Sequence, residues 1–599
     1  MNNQEHIIMA ILVVYRLCLL TSYALAADFD SNKRILVQGA PLIGGSNGMY
    51  FDNENYLHVA QVYGRTISKI NVDSGEIVEQ FSYSEPNNHV MFPDDLVFGP
   101  DGKMYYTDPA YYQTVFMRYA PDGPSVPLLP VGSVPYANPV TLSEDGNRLF
   151  YAQCWNVQDD NSLFELDLET SEVKLILKDI YGCASNAMAY KDNALFTPRP
   201  FEGRVVKIDL KSSPPQVTNV TTGMVAPNAV KFNSKHELFV VDDGAGEVAL
   251  VNLTADDTDV NRNVVARFPP RSIDNLAFDQ DDRLFISSTA EASVTEVLSD
   301  GQLRIISSEG MSMAMGLAGI EVDGTRKLYT LHPGALYEID LNNDAKLSTI
   351  VRSAVSLGPM NEPTSIAVWG HDLILMSFTS NSLMIWDLEL ESSKLLLDFA
   401  APTDAHPFNG DLLVTESSMG RIVRVSPTDS FRAHEVVVEA PGAAFLFMCG
   451  DDDDVYASDG SRGLVLQIIS QQQVLDPPLE IASGLSSPEG IAMHHNGKEL
   501  LVIEAGSDSL LAIDRTTGEK RLIATDLLLM PGVPMLPFGY PNNVVSLDGA
   551  IYVNGDGANV IYLIQDEEEP TSNTYQNVAI KWHIIYIYLW GFFIYRALA

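Results

Sequence analysis

Cysteine is scarce in this chain, and that scarcity limits its covalent and metal chemistry. Only four cysteines occur among 599 residues. Cys18 falls in a segment expected to be removed, which leaves Cys154, Cys183 and Cys449. Three cysteines make neither a disulfide framework nor a zinc site. A bridge between Cys154 and Cys183 in an oxidising compartment and buried free thiols are both compatible with the sequence.

Basic residues are also few. Lysine and arginine together number 37 against 78 aspartates and glutamates, so the formal net charge at pH 7 is −41. Such a surface repels phosphate backbones, which argues against nucleic acid as a partner. It attracts cations such as Ca²⁺, although a soluble secreted surface has the same balance of charge.

Long apolar runs are confined to the two ends of the chain. The first, Ile7 to Leu20, leads into the A-x-A cleavage pattern of residues 24–26, so we expect a signal peptide over residues 1–26 and a secreted protein. Sequons at Asn219 and Asn252 fit a secreted glycoprotein.

The second run belongs to residues 567–599, an acidic and polar linker followed by an apolar tail from Trp582. The tail is short for a membrane span and contains His583 and Arg596. It fits a membrane anchor, a processed lipid-anchor signal or an artefact of gene prediction. We expect membrane contact only through this tail.

The stretch Gly44–Gly48 matches G-x-S-x-G, the pattern of the hydrolase nucleophile elbow, with Ser46 at its centre. That pattern needs a strand, a sharp turn and a helix around it. Here apolar residues alternate through Met49, Phe51 and Leu57, which predicts two short strands and no helix. We therefore expect no nucleophilic role for Ser46.

A strand–turn–strand pattern recurs along the chain with a period in the forties, which is typical of propeller blades. A single blade cannot bury both its faces, so blades stack around an axis. The twelve copies predict an all-β chain of tandem β-propellers, with two six-bladed rings over residues 27–310 and 311–566. The copies begin at Asn47, Asp94, Asn138, Asn186, Asn228, Asp274, Ala318, Thr364, Asp404, near Phe445, Glu489 and Asn542.

The residue that opens the innermost strand of each blade is expected to face the central tunnel. In the first ring all six are Asn or Asp: Asn47, Asp94, Asn138, Asn186, Asn228 and Asp274. Carboxylate and amide oxygens are the hard ligands that Ca²⁺ prefers, whereas zinc would require His or Cys. The same residue types also satisfy turn backbone without any metal. The mixed set in the second ring favours a functional site in the first.

The motifs NGMYFD, PDDLVFGPDG, PNAVKF and LFVVDDGAGEV resemble the senescence-marker-protein/gluconolactonase family of six-bladed propellers. More loosely, the repeats resemble NHL-type propellers. The resemblance implies a Ca²⁺-dependent lactonase or esterase. In that family a first-blade glutamate holds the metal with Asn and Asp of later blades. Asn47 stands in the place of that glutamate, so the acidic ligands would be Asp94 and Asp274.

The family mechanism implies that Ca²⁺ polarises a lactone or ester carbonyl while Asp94 or Asp274 activates water. The alternative is a non-catalytic NHL-like protein that binds a protein or carbohydrate. Weaker candidates are residues at the ends of second strands, histidines of the second ring and a second ion site. The strand-end residues are Asp108, Gln153, Arg199 and Asp242. The histidines are His332, His494 and His495, and the second ion site would use Glu489 and Asn542.

Overall fold

The computed structural model describes residues 33–38, 45–62, 64–82, 89–109, 112–119, 123–153, 162–178, 186–255, 257–307, 310–311, 314–322, 324–332, 335–352, 363–378, 380–529, 542–555 and 560–566. The predicted signal peptide, the C-terminal tail, Cys154 and Cys183 lie outside these residues. Cys449 lies within them as a buried free thiol. Residues Arg34–Leu563 form one compact unit.

Alternating apolar residues and Asx turns build the blades from the sequence upward. In the first blade the carboxylate of Asp52 accepts the backbone N–H groups of Glu54 and Tyr56 at 3.0 and 2.9 Å. Asn55 adopts a φ of 67°, which asparagine tolerates better than most residues. The turn therefore reverses the chain where the sequence predicts it, and Met49 and Leu57 face the core on either side.

The first ring contains six four-stranded sheets, here called blades 1 to 6, each with its strands in sequence order from the inner to the outer edge. Their strands are β2 (Ser46–Phe51), β3 (Leu57–Gln61), β4 (Thr66–Asn71) and β5 (Glu76–Ser82); β6 (Leu96–Phe98), β7 (Lys103–Asp108), β8 (Thr114–Tyr119) and β9 (Ser125–Pro127); β10 (Ala137–Leu142), β11 (Arg148–Gln153), β12 (Ser162–Asp167) and β13 (Val173–Lys178); β14 (Ala189–Lys191), β15 (Ala194–Arg199), β16 (Arg204–Asp209) and β17 (Gln216–Thr221); β18 (Pro227–Phe232), β19 (Leu238–Asp242), β20 (Glu247–Val251) and β21 (Arg262–Arg267); β22 (Leu276–Phe278), β23 (Leu284–Ser288), β24 (Ser293–Val297) and β25 (Leu303–Ser307).

The second ring contains blades 7 to 12, and its last blade takes its outer strand from the beginning of the chain. The strands are β26 (Met315–Val322), β27 (Thr325–His332), β28 (Ala335–Asp340) and β29 (Lys346–Arg352); β30 (Ser365–Trp369), β31 (Asp372–Ser377), β32 (Ser382–Asp387) and β33 (Ser392–Asp398); β34 (Ala405–Phe408), β35 (Asp411–Glu416), β36 (Arg421–Val425) and β37 (Glu435–Glu439); β38 (Phe445–Gly450), β39 (Val455–Asp459), β40 (Leu464–Ser470) and β41 (Gln473–Ala482); β42 (Pro488–Met493), β43 (Glu499–Glu504), β44 (Ser509–Asp514) and β45 (Lys520–Ala524); β46 (Val544–Leu547), β47 (Ala550–Gly555), β48 (Val560–Ile564) and β1 (Lys33–Gln38).

Contacts between inner strands close both rings. In the first, β2 contacts both β6 and β22, and every other inner strand contacts its two neighbours. In the second, β26 contacts both β30 and β46. The all-β, tandem-propeller fold predicted from the repeats is confirmed. Single-turn 3₁₀ segments lie at Pro200–Glu202, Ser417–Met419, Pro427–Asp429 and Ala505–Ser507. No helix among the described residues is long and apolar enough to span a membrane.

The position of β1 corrects the predicted boundary at residue 27. That boundary assigned Lys33–Gln38 to the first ring, but β1 pairs with β48 in the last blade of the second. Val37 packs there with Tyr337 and Ile561. The described residues of the C-terminal repeat form three strands of this sheet, and β1 adds the fourth, which protects the edge of β48.

The hydrophobic core is divided into clusters between neighbouring blades. The first ring closes on a cluster in which Met49 and Phe51 of blade 1 meet Phe285 and Val294 of blade 6. The rings of Phe51 and Phe285 lie 5.1 Å apart. Each fully buried side chain of this kind stabilises the fold by about 1.5–3 kcal/mol, so apolar stacking between blades holds the inner strands around the tunnel.

Candidate metal centre

The six predicted site residues all lie at the start of inner strands of the first ring, around the space that we call the tunnel. Asn47, Asn138 and Asn228 are each the second residue of β2, β10 and β18. Asp94, Asn186 and Asp274 precede β6, β14 and β22 by two or three residues. Because the six inner strands contact one another in a closed circle, these starting residues surround the tunnel.

A register shift accompanies each asparagine that lies inside a strand. The shifts fall between Ser46 and Met49, between Asn138 and Val140, and between Pro227 and Ala229. Such bulges leave a residue unpaired and change the direction of its side chain. The pattern explains how an asparagine within a strand can face the tunnel instead of a neighbouring blade.

Asp274 is the centre of a hydrogen-bond network that joins four of the six residues. Asn228 Nδ2 donates to Asp274 Oδ1 at 2.6 Å, and Asn186 Nδ2 donates to the same oxygen. Asn138 Nδ2 donates to Asn186 Oδ1 at 3.0 Å, and Thr289 Oγ1 donates to Asp274 Oδ2. Burial raises the pKa of Asp274 although these donors lower it. Side chains from blades 3, 4, 5 and 6 thus converge.

Asp94 contributes a second buried carboxylate beside this network. Burial raises its pKa well above the usual value, and the charge of Asp274 raises it further, followed by those of Asp95 and Asp108. Its backbone carbonyl accepts the N–H of Gly48 at 2.8 Å, which ties blade 2 to blade 1. Two carboxylates in such surroundings cannot both ionise easily without a cation.

Three buried oxygens around the tunnel have no hydrogen-bond partner among the described residues: Asn47 Oδ1, Asp94 Oδ1 and Asn138 Oδ1. Each unsatisfied buried acceptor costs about 1–3 kcal/mol. A water molecule could satisfy them, and protonation of one carboxyl relieves the repulsion between Asp94 and Asp274, but a cation does both at once. All three are hard oxygen donors, so the residues present fit Ca²⁺. The other three site residues, Asn186, Asn228 and Asp274, are hydrogen-bonded to one another.

Two residues that sequence analysis did not identify also support the site. They are Asp95 and Asn275, which directly follow Asp94 and Asp274. Asp95 Oδ2 accepts the N–H of Val140 at 3.0 Å and so connects blades 2 and 3. Asn275 Nδ2 donates to the carbonyl of Asn186 at 3.2 Å. Burial raises the pKa of Asp95 to about 6. The sequence signal for both was a polar residue directly after the site aspartate, Asp95 in PDDL and Asn275 in IDNL, where other blades have an apolar residue.

Asp243 is a third carboxylate near Asp274. It follows β19 and is partly exposed. Burial raises its pKa to about 7, and the charge of Asp274 contributes next. The doubled aspartate of VVDD was its sequence signal. Its place beside Asp274 and its partial exposure put it where a molecule approaching the site could meet it.

Asp108 and Asp242, at the ends of second strands, hold loop backbone. Asp108 accepts the N–H groups of Phe92 and Tyr112 at 3.0 and 2.9 Å. Asp242 accepts those of Val225 and Ala226 at 2.9 and 2.8 Å. Both therefore do the capping work that strand-end aspartates commonly do.

The remaining candidates lie apart from the network around Asp274. Arg199 lies 3.4 Å from Glu202 in an ion pair. His494 accepts the N–H of Asn496 at 3.3 Å within a turn. The side chain of His332 lies outside the described residues.

The second ring has the same bulge and the same contact between inner strands, but its polar side chains there are hydrogen-bonded to each other. Glu489 occupies the bulge position of Asn47, and Asn542 the position of Asp94. Glu489 Oε2 accepts both the backbone N–H and the Nδ2 of Asn542, at 2.7 and 3.0 Å. These two residues of the predicted second ion site therefore meet, but they bind each other.

Ser46 has a structural role at the closure of the first ring. Its Oγ is fully buried and donates to the carbonyls of Ser288 and Ser293 at 2.8 and 2.7 Å. These bonds connect blade 1 to blade 6 at the point where the first ring closes.

No family model and no curated protein matches this chain. Among solved structures, a streptogramin B lyase is 11% identical with a TM-score of 0.34, over 53% of this chain and 97% of that one. A gluconolactonase from Xanthomonas campestris is 14% identical with a TM-score of 0.35, over 43% and 86%. A virginiamycin B lyase from Staphylococcus aureus is 12% identical with a TM-score of 0.27, over 57% and 95%. Matches of this kind assign no function and no substrate to the chain.

Proposed function

We propose that the first ring binds one Ca²⁺ ion at its tunnel and hydrolyses small lactones or esters there. The observation that carries the proposal is Asp94 Oδ1, which is buried beside a second carboxylate and has no partner in the part of the chain that the structure describes. Asn47 and Asn138 add two further unpartnered buried oxygens. A divalent cation would coordinate these oxygens and reduce the repulsion between the carboxylates of Asp94 and Asp274.

The residues of the site have separate tasks in this proposal. Asn47, Asp94 and Asn138 hold the ion through their available oxygens. Asp274 keeps the opposite side in place, because its carboxylate is fixed by three donors. Bound Ca²⁺ supplies Lewis-acid polarisation of the substrate carbonyl and charge stabilisation on its oxygen. Of the two predicted catalytic carboxylates, Asp274 has both oxygens engaged by donors, so we assign the activation of water to Asp94 through Oδ2, the oxygen that does not hold the ion.

The proposal also includes export from the cell. Both sequons lie on exposed parts of the first ring, at Asn219 in β17 and Asn252 after β20. Asn252 Oδ1 accepts the N–H and hydroxyl of Thr254 at 3.0 and 2.8 Å, so the acceptor asparagine is held in an Asx turn at the surface. The secretory route itself rests on residues 1–26.

Calcium titration tests the site. We expect Ca²⁺ to raise the melting temperature, with a gain that grows with concentration above the dissociation constant. Asp94→Asn combined with Asp274→Asn should remove most of this gain and leave the calcium-free protein as stable or more so, because the repulsion is gone. The readout is thermal unfolding with and without chelator, beside hydrolysis of a lactone and ester panel.

Asp404→Asn in the second ring is the matched control, since Asp404 is an equally buried carboxylate in an inner-strand position. It should leave the calcium response intact. A double variant at Asp94 and Asp274 with an undiminished response would place the ion elsewhere. A wild type without any response would favour the alternative function, a propeller that binds a protein or carbohydrate.

A further inference from the structure

The tunnel of the first ring contains an amine that the metal proposal does not use. Lys231 lies on β18, the inner strand of blade 5. Its Nζ donates to the carbonyl of Met49 in blade 1 at 2.5 Å. Blade 6 separates these two blades around the ring, so the lysine side chain crosses part of the tunnel instead of contacting an adjacent sheet.

Two ionisable side chains face this amine. Tyr50 of blade 1 presents its ring, with the Lys231 Nζ 5.2 Å from the centroid. Asp95 of blade 2 is 1% exposed and close enough for its charge to act on Lys231 and on Tyr50. Lys231 and Tyr50 are both partly accessible to solvent. Parts of both residues are therefore exposed, while the surroundings of the amine itself are mostly protein.

These surroundings distinguish the amine from that of an ordinary exposed lysine. Burial lowers the pKa of Lys231 from 10.5 to about 8, against the opposing effect of Asp95. At pH 7 the neutral share of such an amine is roughly 300-fold larger than that of an ordinary exposed lysine. Only the neutral amine is nucleophilic, and desolvated lysines of this kind react with carbonyl groups.

We propose that Lys231 is an imine-forming amine that takes small, uncharged aldehydes or ketones in the tunnel of the first ring. The ammonium first gives a proton to solvent. The amine nitrogen then bonds to the carbonyl carbon, the resulting carbinolamine loses water, and a carbon–nitrogen double bond forms. The span from blade 5 to blade 1 limits the size of the compound, and the negative charge of Asp95 disfavours keto acids. This reactivity is separate from the proposed hydrolysis and requires no Ca²⁺.

Reductive trapping of the full chain tests the proposal. The protein is incubated at pH 7 with propanal and cyanoborohydride, which converts an imine into a stable propylamine, and alkylated lysines are located by peptide mass analysis over time. Lys235 is the internal reference, because it lies four residues away on the hairpin turn with a 69% exposed side chain. A parallel incubation with pyruvate tests the exclusion of charged carbonyls.

We expect Lys231 to be alkylated at least tenfold faster than Lys235, and faster by propanal than by pyruvate. Lys231→Arg keeps a cation that can donate to Met49 and cannot form an imine, so it should abolish the fast phase. Lys235→Met should preserve it. The proposal is overturned if Lys231 in the wild type reacts no faster than Lys235, or if the fast phase survives in Lys231→Arg. The wild-type comparison stands even if the arginine variant fails to fold.

Discussion

Asp95 in blade 2 and Asp404 in blade 9 occupy the same position of the inner strand in different rings. Asp95 accepts the N–H of Val140 at 3.0 Å, and Asp404 accepts that of Met448 at 2.7 Å, each from the next blade. Burial raises the pKa of Asp95 to about 6 and that of Asp404 to about 7. Each carboxyl therefore joins two blades through a group whose charged form is penalised by burial.

The raised pKa of Asp404 predicts a definite sign for its effect on stability. The folded protein holds a proton there between about pH 4 and pH 7 that the unfolded chain releases, so stability falls as the pH rises through this window, by at most about 1.4 kcal/mol per unit. Asp404→Asn cannot ionise and still offers Met448 an oxygen. The melting temperature of the variant relative to wild type should therefore increase from pH 5 to pH 8.

Asp514→Asn is the control for this series. Asp514 is the last residue of β44, where hydrogen bonds from Thr517 hold its pKa below the usual range. Both its folded and unfolded forms are ionised between pH 5 and pH 8, so its offset from wild type should stay constant. An equally constant offset for Asp404→Asn would contradict the predicted titration.

At the scale of the blade, a glycine at the bulge allows one inner strand to touch the next. A Cβ added to Gly48 would lie 2.5 Å from both the carbonyl oxygen of Asp94 and the Cα of Asp95. Gly490 has the same position in the second ring, where an added Cβ would lie 2.6 Å from the Cα of Asn543. In both cases the obstacle is backbone, so the neighbouring blade would have to move.

Gly48→Ala and Gly490→Ala form a matched pair for testing the site. Each should lower the melting temperature, because overpacking reduces the free energy of unfolding by an amount on the order of 1–3 kcal/mol. Only Gly48→Ala displaces Asp94, so only that variant should also lose the calcium-dependent gain. Differential scanning fluorimetry with and without Ca²⁺ measures both effects. An equal calcium-dependent gain in melting temperature in the two variants would contradict a role of Asp94 in binding the ion.

At the scale of the whole molecule, the two rings close differently. The first ring closes through packing of blade 1 on blade 6, with every blade built from consecutive strands. The second ring completes its last blade with β1, more than 500 residues away along the chain. The rings also meet directly, since Tyr337 Oη donates to the carbonyl of Ala290 at 2.7 Å.

Removal of β1 should weaken the second ring selectively. A chain beginning at residue 39 exposes the edge of β48, whereas a chain beginning at residue 33 retains the full blade and serves as the control. We expect the shorter chain to unfold at a lower temperature and to aggregate more, because a paired strand edge has become open. The calcium-dependent gain of the first ring should persist. Identical calorimetric traces for the two chains would contradict this account of closure.

The sequence by itself determined the fold class, the blade period and the positions that surround the tunnel. These follow from local patterns, because strand alternation and turn residues repeat in every blade. It also indicated that Ser46 is no nucleophile, since no helix follows it. The strand at Lys33–Gln38 escaped prediction because it carries no turn or partner within its own repeat.

Only the tertiary structure decided which polar groups meet and which have no partner. Asn186 and Asp274 are 88 residues apart in sequence, yet their side chains are hydrogen-bonded. Nothing in the local pattern distinguishes them from Asp94, whose Oδ1 has no partner among the residues that the structure describes. The same holds for Lys231, whose amine reaches Met49 only because the ring closes. Ring closure brings residues from distant repeats into one low-dielectric space, and the charge and hydrogen-bond balance of that space depends on distances that the repeat pattern does not contain.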